Sequence, residues 1–317
     1  MGPDNLSEDD EERGNFTEYL LAEMLLAQNP DVEITEAEFR QYMTALDHQD
    51  EVMLIEEAYD AIMLNYRFYE AGQIAAALDH ALDTAEDYDA MDDVRRLSAL
   101  HLDNLLSSAR AFLDITPSHM KSLGGAELKA QFKALTAEQY DSNDAYRFME
   151  ALRNYTQHRG SSITTMTFDT RRNDTGNPVD SKEFKLIYSV RSGLIGDVVK
   201  GEFKAKNRGL VESLKDKNGK INITPLVRGY IVGLNAIILQ TRELLKGREQ
   251  KWLALNQSGR DRLQAVGASG YANAAIKRVG GRVVEKTYLN VRYKDRLDRL
   301  RKRNGKIAHL TKVQIAG

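Results

Sequence analysis

The stretch "DEVMLIEEAYDAIMLNYRFYEAGQIAAALDHAL", residues 50–82, contains no proline, and its apolar residues recur at helical spacing. A run this long has few ways to bury its apolar side. It reads as one or two long helices, with Gly72 the candidate break. The whole chain of 317 residues has only five prolines. Periodic stretches recur at 86–114 and 126–134, and again at about 137–159, punctuated by Pro117 and by the Gly124–Gly125 pair. Residues 34–46 form a further helix that opens on a capping box, Thr35 followed three residues later by Glu38. Residues 16–28, with a wide apolar face, read as a short helix. The expectation is an all-α protein.

After Gly160 the texture changes. "SSITTMTFDT" and "SKEFKLIYSVR" alternate, and "RRNDTGNPVD" between them is turn-like, so 161–191 is expected as a β-hairpin inserted among helices. Residues 207–220 read as a helix ending in a turn. Residues 221–250 read as a long helix with Thr224 as cap and Pro225 at its first position. Residues 1–14 are acidic and poor in apolar side chains, the composition of a disordered tail. The layout expected is that tail, an N-terminal acidic helix over 15–35, a helical domain with its hairpin over 36–250, and a basic helical region over 251–317.

Charge divides the chain. Residues 1–100 hold 26 acidic and 5 basic residues, and residues 241–317 hold 19 basic and 6 acidic, although the formal net charge is only -3. Either the two ends neutralise each other in the fold, or the basic end faces nucleic acid. The absence of cysteine excludes disulfides and thiolate chemistry. No signal peptide is visible, and the apolar "TPLVRGYIVGLNAIILQ" carries Arg228 and is short for a span of about 20 residues, so a cytoplasmic protein that does not enter membranes is expected. None of the six histidines falls in an HExxH pattern, and no phosphate loop occurs, so no metal and no cofactor is expected. The pairs Glu56/Glu57 and Asp92/Asp93 read as solvated helix faces. "GLIGDVVKG" (193–201) and "GASGYAN" (267–273) read as turns.

The helix ending in "ALRNYTQHRG", residues 151–160, carries the chemistry. On a helical wheel Ala145, Phe148, Met149, Leu152 and Tyr155 lie within about 60° of Leu152, an apolar stripe. Arg153 lies near about 100°, Asn154 near about 200° and His158 near about 240°. Asn154 and His158 are i, i+4 neighbours, and Gly160 is the expected residue just past the helix end. An imidazole can move protons at a ribose 2′-OH or a leaving 5′-oxygen. A guanidinium can fork onto a phosphate, and an amide can orient the imidazole. Spacing alone does not separate this from an ordinary polar helix end.

"RNYTQH" resembles the R-x4-6-H signature of HEPN-domain ribonucleases, in the form with a polar residue directly after the arginine. The lead-in "AYRFMEALRNYTQHRG" and the helices around it agree. The resemblance spans roughly residues 36–250, and only the six-residue motif is specific. It implies a HEPN-like helical bundle, Arg153 and His158 as catalytic residues and Asn154 as their support. It further implies metal-independent endoribonuclease activity leaving a 2′,3′-cyclic phosphate, a homodimer with its site at the cleft, and roles in toxin–antitoxin or abortive-infection systems beside an antitoxin or defence partner. Some proteins of this family are inactive scaffolds, so the competing class is an interaction module that binds RNA or a protein.

The basic end supplies a candidate RNA surface. "YLNVRYKDRLDRLRKRNGK" sets Tyr288, Arg292, Arg296, Arg299 and Arg303 three or four apart, expected as one helix face of cations and an aromatic ring. The alternative is a surface helix salt-bridged to Asp295, Asp298 or the acidic N-terminal half. A second R-x-H spacing, Arg303 to His309, contains Asn-Gly and reads as part of a basic tail. A DNA-binding regulator lacks a convincing helix-turn-helix.

Overall fold

The computed structural model describes residues 16–24, 30–82, 88–174, 184–196, 203, 205–289, 292–305, 307 and 313–316. The tail expected over 1–14 and His309 lie outside them. The described chain is mostly helical, as expected, but it carries two antiparallel sheets where one hairpin was expected. In chain order the elements are β1 (Thr17–Glu23), β2 (Asp31–Glu33), α1 (Glu36–Leu82), α2 (Tyr88–Ser142), α3 (Asp144–His158), β3 (Thr165–Asp174) and β4 (Phe184–Ile195). They continue as α4 (Ala205–Leu214), β5 (Lys220–Asn222), α5 (Ile223–Ala265), β6 (Asn273–Val279), β7 (Arg282–Tyr288), α6 (Tyr293–Arg303) and β8 (Val313–Ala316).

The chain divides into two compact units, one of residues 1–54 and 242–301, the other of residues 55–241 and 302–317. These boundaries differ from the expected 36–250 and 251–317. In the first unit the sheet order is β2-β1-β6-β7. Of the helix expected over 16–28, the described residues 16–24 are not helical: β1 is an inner strand, with Leu20 opposite Ile276 and Leu21 opposite Ala275. Leu20, Leu21 and Ala22 are all buried, on alternating faces. A strand covered on both faces reads as a continuous apolar run, which periodicity cannot tell from a short helix. The region 251–317 is not wholly helical either. β6 and β7 form a hairpin closed by Gly280 and Gly281, both at positive φ, the backbone that a two-residue primed turn demands.

The start of α1 follows the sequence. The Thr35 hydroxyl accepts from the Glu38 amide at 3.1 Å, and the Glu38 carboxylate accepts from the Thr35 amide at 2.8 Å. Arg262 binds the same carboxylate at 2.8 Å. The helix then runs on without the interruption expected near 46–50 or at Gly72. Gly72 serves instead as a contact, since a Cβ there would lie 2.9 Å from His101 Nδ1.

The second unit holds the large core. Tyr59, Ile62, Met63, Tyr66 and Tyr69 of α1 are buried with Leu102, Leu105 and Phe112 of α2, Phe148 and Leu152 of α3, and Tyr230, Ile231 and Leu234 of α5. Pro117 does not end α2. The bend comes at Gly124–Gly125, where Gly125 has φ 73° and ψ -161°, a conformation open essentially to glycine alone. The two limbs pack through Phe112 and Phe132, ring centroids 6.1 Å apart. α5 is capped by Asn222, whose Oδ1 accepts from the Thr224 amide at 3.2 Å, rather than by Thr224. It is 43 residues long, so by length and composition it passes as a membrane span, and shortness does not exclude one. Its Arg228 is matched by buried Glu70 through two bonds of 2.8 and 2.9 Å. In the second sheet β4 pairs with β3 along one edge and with β5 and β8 on the other, so the expected hairpin is present with added strands. Gly193 lies within β4 and not in a turn.

Candidate active site

Helix α3 is set in place at both ends. Asn143 caps it, accepting from the Tyr146 amide at 3.1 Å, while its Nδ2 donates to the Gly229 carbonyl at 3.1 Å. The residue at 143 is thus a break, and the helix expected over 137–159 starts only at Asp144. α5 presents Gly229 and Gly233 four residues apart. A Cβ at Gly229 would lie 2.6 Å from Ala145 Cβ, so the glycine lets α3 approach α5 closely. Past the other end, the Ser162 hydroxyl donates to the Ala99 carbonyl at 3.2 Å, and Arg95 donates to the Ile163 carbonyl at 3.0 Å. Gly160 follows the C-cap Arg159 but is not at positive φ. It makes room for the Tyr155 hydroxyl, 2.6 Å from where its Cβ would stand.

Phe148, Met149, Leu152 and Tyr155 are buried as the wheel requires, and Tyr146 joins them. Arg153 is half-buried, and Asn154 and His158 are exposed. Arg153 Nη1 donates to Asn154 Oδ1 at 3.2 Å. Arg153 Nε is buried without a hydrogen-bond partner among the described residues. His158 occupies the last turn, and no hydrogen bond among the described residues joins it to Asn154 or Arg153. The structure therefore brings two of the three candidates together and leaves the imidazole open to solvent.

Behind Arg153 lies a group that the wheel argument missed. Glu150 has a side chain only 15% exposed. Burial pushes its carboxyl above the usual range, opposed by the Tyr230 hydroxyl and by the nearby Arg110 and Arg153 guanidiniums. Tyr230 donates to Glu150 Oε1 at 2.6 Å, and Arg110 Nη1 stands 3.9 Å from Glu150 Oε2. Tyr146, Glu150 and Arg153 follow an i, i+4, i+7 spacing, and that spacing was the available signal. Glu150 and Tyr146 also line a cleft of about 550 Å³, whose other lining residues come from the two limbs of α2. Arg110, Leu113 and Pro117 line it from one limb, and Lys129, Lys133 and Tyr140 from the other.

The expected basic face is not assembled as one helix surface. Tyr288 ends β7, its ring under the Lys286 ammonium at 5.3 Å, and Arg292 precedes α6. Arg296, Arg299 and Arg303 lie on α6. Arg296 and Arg299 are exposed, but Arg303 is bound to Asp60 through Nε at 2.9 Å and through Nη2. Arg301 forms a two-pronged pair with Glu249 at 2.7 and 2.9 Å. The salt-bridged alternative thus holds for Arg303. Of the acidic pairs, Asp92 and Asp93 bind Arg95 and Arg96, whereas Glu56 is buried and not on a solvated face. Compared with family models, curated proteins and solved structures, the chain finds no match.

Proposed function

We propose that this chain is a metal-independent endoribonuclease of the HEPN type, acting as a homodimer, with Arg153, Asn154 and His158 as its site. The observation that carries the reading is the end of α3, where an exposed imidazole shares the last turns with a half-buried guanidinium held by Asn154. Neutral His158 takes the proton of a ribose 2′-OH. The 2′-oxygen attacks the adjacent phosphorus, the bond from phosphorus to the 5′-oxygen breaks, and an imidazolium returns a proton to that oxygen. The products are a 2′,3′-cyclic phosphate and a 5′-hydroxyl. Arg153 stabilises the charge that builds on the phosphate oxygens, and Asn154 holds Arg153 by its side-chain oxygen. One chain offers one histidine here, so a two-fold dimer supplies the acid and the base. From the resemblance alone we infer a cytoplasmic toxin–antitoxin or antiphage setting, with an antitoxin or defence protein as partner.

Incubating the full chain with total RNA and tRNA in EDTA tests this. Wild type is expected to cleave, and His158→Ala and Arg153→Ala to lose about 10²–10⁴-fold. Equal cleavage by wild type and both variants removes the site from α3. The second reading, a non-catalytic module that binds RNA or protein, is favoured by the lack, among the described residues, of any hydrogen bond orienting His158. It requires RNA binding without cleavage, tolerant of His158→Ala.

A further inference from the structure

The cleft between the limbs of α2 has a charge arrangement that the nuclease reading does not use. Lys129 and Lys133 stand one helical turn apart on the limb after the Gly124–Gly125 bend. Among the described residues neither has an ion-pair partner. Across from them, Arg110 is held by Asp114 at 2.6 and 2.7 Å. The second carboxyl of the cleft, Glu150, is bound by Tyr230 and pushed toward its neutral form by burial. The cleft is thus lined by three cations against two carboxyls, and both carboxyls are engaged, Asp114 by Arg110 and Glu150 by Tyr230. Beside them the Tyr140 ring and the Pro117 and Leu113 side chains offer an apolar flank. The volume, about 550 Å³, lies within the range of small-ligand sites.

We propose that this cleft binds a nucleotide, its phosphate between Lys129 and Lys133 and its base against Pro117, Leu113 and Tyr140. Ammoniums without carboxylate partners recognise a phosphate anion, and a flat heterocycle suits a wall made of a ring and aliphatic side chains. The same chemistry is met by a free mononucleotide or by one nucleotide unit of an RNA strand. Binding here does not require His158, so the inference stands apart from the cleavage reaction.

Calorimetric titration of the full chain with AMP, adenosine, inorganic phosphate and a short oligoribonucleotide decides it. AMP is expected to bind with a Kd at or below about 1 mM, and adenosine at least about tenfold more weakly. Lys129→Glu/Lys133→Glu is expected to weaken AMP binding by at least about tenfold with the circular dichroism spectrum unchanged. Ala137 is an exposed residue on the rim, and Ala137→Trp is expected to reduce AMP affinity while sparing phosphate. AMP binding that survives the double charge reversal overturns the proposal, as does the absence of AMP binding by wild type. If the oligoribonucleotide competes with AMP and loses affinity in both variants, the occupant is a unit of an RNA strand. If it does neither, the occupant is a free nucleotide.

Discussion

At the scale of single residues, Glu150 is a carboxyl whose state is set by its surroundings. It sits beside Arg110 and Arg153, yet burial outweighs both and raises its pKa. A carboxyl raised in this way binds its proton more tightly in the folded chain than in the unfolded one. Stability therefore falls as pH rises from the ordinary glutamate value of about 4.3 through the raised folded value, and the loss is complete above it. Glu150→Gln keeps an acceptor for the Tyr230 hydroxyl and removes the charge. Its stability relative to wild type, read by chemical denaturation, is expected to climb between about pH 4 and pH 7. A relative stability that is flat or falls across that range would mean that the two arginines outweigh burial. Arg153 acts on this carboxyl only through space, with no ion pair between the two among the described residues.

At the scale of elements, the site depends on how closely α3 lies against α5. With Gly229 and Ala145 in contact, Gly229→Ala places two methyl groups 2.6 Å apart. Overpacking of this kind costs about 1–3 kcal/mol, and it acts at the end of α3 where Asn143 is bonded to the Gly229 carbonyl. Ala145→Gly in the same chain is expected to recover most of the loss, because it removes the second methyl group. A double-mutant cycle in urea with no coupling between the two positions would show that they do not share the contact. This contact was not legible in the sequence, where Gly229 and Gly233 sit inside an apolar run with nothing to name their partner. The apolar stripe of α3 and the Thr35–Glu38 cap were legible, because each is fixed by spacing within one helix. β1 and the buried first half of β6 were not, because a strand covered on both faces has no period of its own, and β7 was not, because it is exposed along almost its whole length and shows no alternation of burial. Arg153 was legible as a candidate, but Glu150 behind it was not, since its role depends on Tyr230, 80 residues further along the chain.

At the scale of the whole molecule, the opposed charges of the two chain ends meet within each unit. In one, Glu38 binds Arg262 and Asp31 binds Arg278, each at 2.8 Å. In the other, Asp60 binds Arg303, and Glu70 binds Arg228 at 2.8 Å. The partly exposed pairs each add at most about 1 kcal/mol, so their weight lies in how much cationic surface they leave unpaired. Residues 1–14 carry six further carboxylates against one arginine, so their removal turns the formal net charge from -3 to +2. If that segment screens the remaining cations, its deletion raises RNA affinity at low salt. The gain should fade near 1 M salt, where the Debye length is about 3 Å. The cut must fall before β1. A deletion of 1–34 also removes an inner strand and buried Leu20, Leu21 and Ala22, and is expected to abolish the folding of that unit. Thermal unfolding after deletion of 1–14 is expected to stay within about 2 °C of wild type, which makes filter binding of RNA to this variant a clean comparison. Unchanged affinity at low salt would mean that the acidic segment does not screen those cations, and that the pairs inside each unit are the whole of the neutralisation.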